Sequence, residues 1–239
     1  MARIVKENEY AARRNEILDA AQRLVYTKGY EQMTIQDILD GLQISKGAFY
    51  HYFESKQALL EALIDRMLQQ VIPILTPIAN DPDLSALVKF GRFFDTAARW
   101  KSTQKTFLLQ LFRVWYDDDN ALVRQKMFAA TVKETAPLLS AIIRQGVQEG
   151  VFTAPYPDYA GEVALLLLQA GGDTVARMLL ECEPECNALE YAKNTIAAYT
   201  DSLERTLGAP QGSLHIVDDE TLKVWFVSTT EETVSTPQH

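Results

Sequence analysis

The sequence is poor in metal-binding residues, because its 239 positions include only two cysteines and three histidines. The cysteines, Cys182 and Cys186, lie close together around a proline, whereas a structural zinc site needs about four ligands. No second cluster of cysteine or histidine is present to complete such a site. We therefore expect neither a bound metal nor another cofactor, and we interpret the two cysteines as bystanders in a reducing compartment.

The motifs of common enzyme classes are missing as well. The sequence contains no glycine-rich phosphate loop and no set of nucleophile and base residues with a recognisable spacing. An enzyme or a small-molecule carrier is an alternative that the sequence supports poorly, and we expect no catalytic residues.

Long apolar runs are also absent. A bilayer-spanning helix needs about 20 apolar residues, and the longest candidate, VALLLLQAGG, is shorter. The first residues, MARIVKENEYAARRNEIL, are charged and lack the apolar core of a secretory signal. With 47% apolar and 23% charged residues, the composition is typical of soluble globular proteins. We expect a cytoplasmic protein without a membrane partner.

Basic residues are outnumbered, since 23 lysines and arginines face 32 aspartates and glutamates and give a formal net charge of −9. This acidity argues against a protein that coats nucleic acid without specificity. Nearly all of the net charge belongs to residues 67–239, so the N-terminal part is close to neutral and has room for a local basic face.

What the N-terminal part does contain is a series of helix starts. Thr34, followed three residues later by Asp37, predicts the beginning of a short helix with a carboxylate in its first turn. Ser45 predicts the beginning of a second short helix, and Ser55 that of a longer one. Two short helices joined by a tight turn and braced by longer ones are typical of the helix-turn-helix arrangement.

In that arrangement the second helix is exposed, so that its N-terminal side chains can enter the major groove of DNA. Gly47 lets the backbone approach DNA closely, and Lys46 can contact a base edge or a phosphate. Tyr50 and His51 can form hydrogen bonds with phosphate oxygens. An aromatic core stripe is the alternative reading of the tyrosines, and the neighbouring Phe49 is expected to face inward.

The chain after Asp83 is predicted to be helical almost to Gly208. Earlier, Pro73 and Pro77 predict a kink or an end in the helix that follows Ser55. Residues 163–168 are apolar on every side, and a soluble protein must bury such a segment all round. A second copy of the chain provides that cover most simply, so residues 157–207 are predicted to form a homodimer interface.

Aromatic residues are unusually frequent in the middle helices, where they could fill a core or line a cavity for a small molecule. The predicted ligand-binding residues, including polar groups that could orient the ligand, are Phe94, Phe112, Arg113, Trp115, Phe128 and Asp173. A mutual ion pair would explain the arginine and the aspartate equally well.

Two segments, ILDAAQRLVYTKGYEQMTIQDI and ISKGAFYHYFESKQALLEAL, resemble the TetR family of bacterial transcriptional regulators, and QEGVF late in the chain does so more weakly. The two longer segments lie within residues 12–66. It implies a DNA-binding regulator, in particular a repressor, that binds a palindromic double-stranded DNA operator as a dimer. It further implies that a small-molecule effector in the C-terminal domain releases the DNA.

The resemblance also implies which residues contact DNA. These are Thr34, Ser45, Lys46, Gly47, Tyr50, His51 and Lys56; Gln43, where the chain departs from the family, is added because its own side chain can reach DNA. Lys56 is expected to meet a phosphate at the beginning of its helix, where the helix N-terminus strengthens the attraction. Gln43 stands where the family usually has glycine, so it is expected to take the turn conformation at some energetic cost.

The predicted architecture is all-α. Residues 1–54 form a three-helix helix-turn-helix DNA-binding domain, and residues 55–208 form a larger helical domain for ligand binding and dimerisation. Residues 209–239 are an extension in which LHIV and LKVWFV alternate around an acidic turn, which predicts a short β-hairpin at 214–228. Under another alternative, this hairpin and the acidic domain would dock a protein partner.

Overall fold

The computed structural model describes residues 2–116, 121–181 and 187–226, and these residues form ten α-helices and no strand. Both cysteines lie outside the described residues. The all-α prediction is confirmed. The helices are α1 (Ala2–Lys28), α2 (Ile35–Leu42), α3 (Lys46–Tyr52), α4 (Lys56–Asn80), α5 (Ala86–Thr103), α6 (Lys105–Trp115), α7 (Ala121–Gln148), α8 (Pro157–Glu181), α9 (Ala188–Leu207) and α10 (Asp219–Phe226).

The N-terminal helices begin at the predicted residues. Thr34 accepts a hydrogen bond from the backbone N–H of Asp37 at 3.1 Å, and the Asp37 carboxylate accepts one from the backbone N–H of Thr34 at 2.9 Å. This reciprocal pair satisfies two N–H groups at the beginning of α2. Ser45 and Ser55 each accept from the N–H three residues further on, and Gly29 ends α1 with a φ of 82°.

Helix α4 continues through both of its prolines, so the predicted end at Pro73 or Pro77 is wrong. Both prolines lie on the exposed side of the helix. The opposite side is buried through Val71, Leu75 and Ala79, which follow one another at a spacing of four residues. Burial of this apolar stripe favours the helix strongly enough to offset the N–H donors that the prolines lack.

Two hydrophobic cores share α4. The first lies among α1 to α4 and also includes side chains of α6 and α7, while the second lies among α4, α5, α7, α8 and α9. Leu59 and Leu63 belong to the first core, and Leu75 belongs to the second. Arg66 adds a polar tie on the same helix, because it donates to Asp19 of α1 at 2.6 Å.

Helices α7 and α8 approach each other with almost no side chain between them. Ser140 of α7 donates its hydroxyl to the carbonyl of Asp158 at 2.9 Å and accepts the N–H of Gly161 at 3.2 Å. A Cβ atom at Gly161 would lie only 2.3 Å from the carbonyl oxygen of Ala136. A glycine is therefore required where α8 crosses α7.

A buried carboxylate fixes the segment that follows α9. Glu204 accepts the N–H groups of Gly212 and Leu214, both at 2.9 Å. The side chain of Glu204 is almost completely buried, so the two donors replace the water that the carboxylate loses. This contact sets the direction in which the chain leaves α9 toward α10.

The β-hairpin predicted at 214–228 is wrong, because α10 occupies most of that range. The Asp218 carboxylate accepts the N–H of Thr221 at 2.6 Å, and further acidic residues in the first turn favour a helix N-terminus. Leu222 is buried, and Trp225 packs against the first core three residues later, which is helical spacing. The alternative in which a hairpin docks a protein partner therefore has no hairpin to support it in the described residues.

The crossing of α7 and α8 generates a stability prediction. Gly161→Ala is expected to lower the free energy of unfolding by about 2–3 kcal/mol, because the added methyl group meets backbone atoms that cannot turn away. Gly91→Ala in α5 is the matched control, since nothing lies within 4 Å of its Cβ position. The control is expected to be neutral or stabilising by up to about 1 kcal/mol. Urea unfolding of both variants measures the difference, and equal midpoints would contradict the crossing.

Candidate nucleic-acid interface

The turn between α2 and α3 depends on one residue in an unusual conformation. Gln43 has φ 52° and ψ 44°, which is the left-handed region, and it is the one non-glycine residue with positive φ in the described part of the chain. The N–H of the following Ile44 donates to the carbonyl of Leu39 at 3.1 Å and closes the turn. The chain thus takes the tight turn with a glutamine, as the sequence indicated.

Helix α3 is fixed by its inward face and leaves the other face free. Phe49 is fully buried and Phe53, which ends the helix, is nearly so. Among the residues predicted to bind DNA, all except Lys56 are exposed, and Lys56 is partly buried. The exposed ones are Thr34, Gln43, Ser45, Lys46, Gly47, Tyr50 and His51. Their contact with DNA stays a prediction.

A tyrosine that the sequence analysis did not select supports the end of α3. The ring of Tyr10 lies 4.7 Å from that of Tyr52 and 5.6 Å from that of His51, measured between centroids. Helix α1 begins at Ala2 and therefore includes Tyr10. Because apolar spacing was the signal used, the polar upstream part of α1 gave no indication of this contact.

The two lysines of the predicted interface are held differently. Lys46 extends over the ring of Tyr50, with 5.9 Å between its Nζ and the ring centroid. Lys56 is folded back onto its own domain, where Nζ lies 4.3 Å from the Tyr30 centroid and donates to the carbonyl of Glu31 at 3.2 Å. Partial burial lowers the pKa of Lys56 from its usual value. Lys46 is therefore the more accessible cation.

The capping carboxylate of α2 is also part of an ion pair. Lys28 at the end of α1 lies 2.6 Å from Asp37. The hydrogen bond from Lys28, followed by those from Thr34, lowers the pKa of Asp37 from 3.8 to about 2. These contacts join the end of α1 to the beginning of α2 and hold the helix-turn-helix in place.

The six predicted ligand-binding residues do not all come together. Phe112 and Asp173 are connected through Tyr116, whose ring lies 6.4 Å from that of Phe112 and whose hydroxyl donates to Asp173 at 2.9 Å. Burial, and then the charge of Asp173, raise the pKa of Tyr116. Phe94 packs instead in the second core against Phe90, with centroids 4.8 Å apart.

The remaining predicted ligand residues are dispersed. Trp115 packs against the first core, Phe128 is half-buried, and Arg113 is exposed. In the parts of the chain that the structure describes, Arg113 forms no ion pair with Asp173, which accepts from Gln169 at 2.7 Å as well as from Tyr116. A role of these residues in ligand binding stays a prediction.

An open groove of about 390 Å³ lies on another face, between α7 and α8. Its lining residues are Val132, Lys133, Ala136, Pro137, Ser140, Arg144, Asp158 and Glu162. None of the six predicted ligand residues is among them. The charged groups of the groove include an ion pair of 2.5 Å between Arg144 and Asp158.

Comparisons with known proteins agree with this architecture. Residues 17–63 match the family model described as bacterial regulatory proteins of the tetR family, and residues 115–174 match a tetracyclin repressor-like C-terminal domain. The first match contains the whole helix-turn-helix, and the second extends from the end of α6 through most of α8.

Most of the individual curated relatives match only a short part of the chain. The transcriptional regulator EthR of Mycolicibacterium smegmatis is 43% identical over 54 residues, which are 23% of this chain and 25% of that protein. The transcriptional repressor KstR2 of Mycobacterium tuberculosis is 24% identical over 144 residues, 59% of this chain and 70% of that one. With EthR and several other curated relatives, the match spans only 22–32% of the relative's length.

A solved structure covers nearly the whole chain. The crystal structure of RolR in complex with the ligand resorcinol aligns with 97% of this chain and 98% of its own, at a TM-score of 0.60 and 16% sequence identity. This similarity shows a shared fold. The fold and the exposed face of α3 together define a helix-turn-helix protein with a larger helical C-terminal domain. The helix-turn-helix and much of the C-terminal domain each match a model of tetR-type bacterial regulatory proteins.

The ion pair at the beginning of α2 predicts a pH dependence. Because folding depresses the pKa of Asp37, its contribution to stability is present above about pH 4 and is lost as the pH falls toward 2. Asp37→Asn is therefore expected to be less stable than wild type at pH 7, with a difference that shrinks between pH 4 and pH 2. Urea unfolding of both proteins across this range measures it. A difference independent of pH would assign the stabilisation to the cap geometry alone.

Proposed function

We propose that the protein is a dimeric transcriptional repressor that binds a palindromic operator and is released by a small molecule. The observation that carries this proposal is the outward face of α3. Lys46, Gly47, Tyr50 and His51 are exposed on a helix whose opposite face is anchored by the buried Phe49. Exposed side chains of this kind at the beginning of a recognition helix are suited to the major groove.

The surface of α8 and α9 supports the dimer. Tyr159, Leu166 and Tyr191 are 70%, 50% and 57% exposed within the single chain. In the described part of the chain, α8 is the one helix long and apolar enough to span a bilayer, yet little of its apolar stretch is buried. An apolar surface of this extent needs cover, and a second copy of α8 and α9 provides it without a membrane.

Two recognition helices in one dimer explain the expected palindrome. Such helices must reach successive major grooves, which lie roughly 34–36 Å apart. A ligand that favours a dimer with another separation must lower the affinity for DNA, and DNA must lower the affinity for the ligand by the same factor. The helical C-terminal domain, with its half-buried Phe112, Trp115 and Phe128, is the proposed place for that ligand.

A cytoplasmic location and the absence of catalysis complete the proposal. Both family-model matches are to regulatory proteins. No group of three or more metal-binding side chains occurs among the residues that the structure describes. Turnover of a metabolite by the purified protein would favour the enzyme alternative instead.

DNA binding is tested by selecting duplexes from a random pool and titrating the selected duplex by fluorescence anisotropy at several salt concentrations. We expect a palindromic sequence bound with a Kd on the order of 10⁻⁸ M or tighter. Lys46→Ala is expected to weaken binding at least about tenfold, because it removes the accessible cation of α3. Lys133→Ala in α7 removes an equal charge from an exposed position and is expected to have no effect.

The salt dependence separates the two roles open to Lys46. Removing a phosphate contact makes the slope of log K against log salt shallower by about 0.9, whereas removing a base contact relaxes the sequence preference. Failure to enrich any sequence, with only weak binding at low salt, would overturn the proposal.

The dimer is tested by placing a charge on α8. Leu166→Glu is expected to yield monomers in sedimentation velocity, because a carboxylate buried in the interface without a partner is unfavourable. Ile74→Glu is the matched control, since Ile74 is 44% exposed on α4, outside the proposed interface. A dimer that is unchanged by Leu166→Glu would show that another surface joins the two chains.

A further inference from the structure

Helix α10 lies beyond both segments matched by the family models, the second of which ends at residue 174. It contacts α6 at two points. The Nζ atom of Lys105, the first residue of α6, donates to the carbonyl of Val224 at 2.6 Å. The ring of Trp225 stacks on that of Phe112 in the middle of α6, with 6.4 Å between centroids.

The other side of α10 is fixed to the C-terminal domain. Asp219 forms an ion pair of 2.5 Å with Lys193 of α9, and Leu222 is buried. The buried carboxylate of Glu204 also holds the segment that leads from α9 toward α10. Helix α10 is thus attached firmly enough to restrain the helix that it contacts.

Helix α6 and the residue before it meet the N-terminal helices on another side. The hydroxyl of Tyr26 in α1 donates to Gln104 at 3.0 Å, and its ring lies 5.4 Å from that of Phe107. Gly29 at the end of α1 approaches Gln110 so closely that a Cβ atom there would lie 3.1 Å from the amide oxygen. Helix α6 therefore lies between α10 and the end of α1.

We propose that α10 acts as a clasp, formed by Lys105, Phe112, Val224 and Trp225, that fixes α6 and thereby the position of the N-terminal helices. Trp225 and Lys105 are positioning residues for DNA binding, because they act through α6 and α1. The inference rests on the proposed function, since its consequence appears when a dimer binds two half-sites.

The physical reason is preorganisation. A dimer that binds two half-sites needs its recognition helices at one separation, and mobility in that separation must be lost on binding. A duplex with one half-site imposes no such requirement, since one recognition helix suffices. Loosening the clasp therefore weakens binding to two half-sites and leaves binding to one half-site unchanged.

The experiment compares Trp225→Ala with wild type on two duplexes at low salt: the palindrome selected by the wild-type protein, and the same duplex with one half-site scrambled. We expect about tenfold weaker binding to the palindrome and unchanged binding to the half-site duplex. Sedimentation velocity and far-UV circular dichroism establish that the variant is a folded dimer.

Three further variants make the outcome specific to the clasp. Trp225→Phe retains an aromatic ring against Phe112 and is expected to restore most of the affinity. Lys105→Met removes the hydrogen bond to α10 while keeping an unbranched side chain, and it decides the question if Trp225→Ala does not fold. Lys223→Ala changes an exposed residue of the same helix and is expected to bind as wild type does.

Two results would overturn the clasp. One is that Trp225→Ala binds both duplexes with wild-type affinity. The other is that Trp225→Ala loses affinity equally for both duplexes, which would indicate general damage to the DNA-binding surface. If the wild-type protein binds neither duplex, it is the proposed function that fails, and this result is distinct from both.

Discussion

The structure depends on the single apolar stripe of α4, because both hydrophobic cores are built against it. Its first half packs with the N-terminal helices and its second half with the larger domain. The helix is continuous over its 25 residues and thus connects the two cores through a single element. Arg66, bound to Asp19 and Gln22, removes much of the remaining freedom between α1 and α4. Under the proposed function, a change in the position of the N-terminal helices relative to the larger domain would act through this joint and through the contact between α1 and α6.

The candidate DNA-binding surface is small and relies on buried aromatic residues. Helix α3 has seven residues, too few to be stable alone, so its position comes from Phe49 and Phe53 beneath it and from Tyr10 beside it. Ser45 stabilises the beginning of the helix as its cap, whereas Lys46 and Tyr50 expose their side chains. They are thus free to be chosen for DNA sequence, while the aromatic residues keep the helix where DNA can meet it.

The local features of the fold were predictable because local hydrogen bonds cause them. Thr34, Ser45 and Ser55 begin helices by accepting an N–H three residues away, which a sequence shows directly. The sequence-based predictions were wrong where contacts between residues distant in the sequence determine the structure. The short run LKVWFV suits a strand or a helix, and packing of Trp225 on Phe112, far away in sequence, favours the helix. The predicted ligand residues dispersed for the same reason, since their spacing along helices does not reveal which helices face each other.

Gln43 lowers the stability of the turn but adds a polar group to its surface. Its left-handed conformation disfavours any residue except glycine, asparagine or aspartate, so glutamine gives up roughly 1 kcal/mol of stability there. In exchange, an exposed amide lies two residues before Ser45, the residue that caps the beginning of α3. Variation between glutamine and glycine at this position would thus exchange conformational stability for an additional hydrogen-bonding group near DNA.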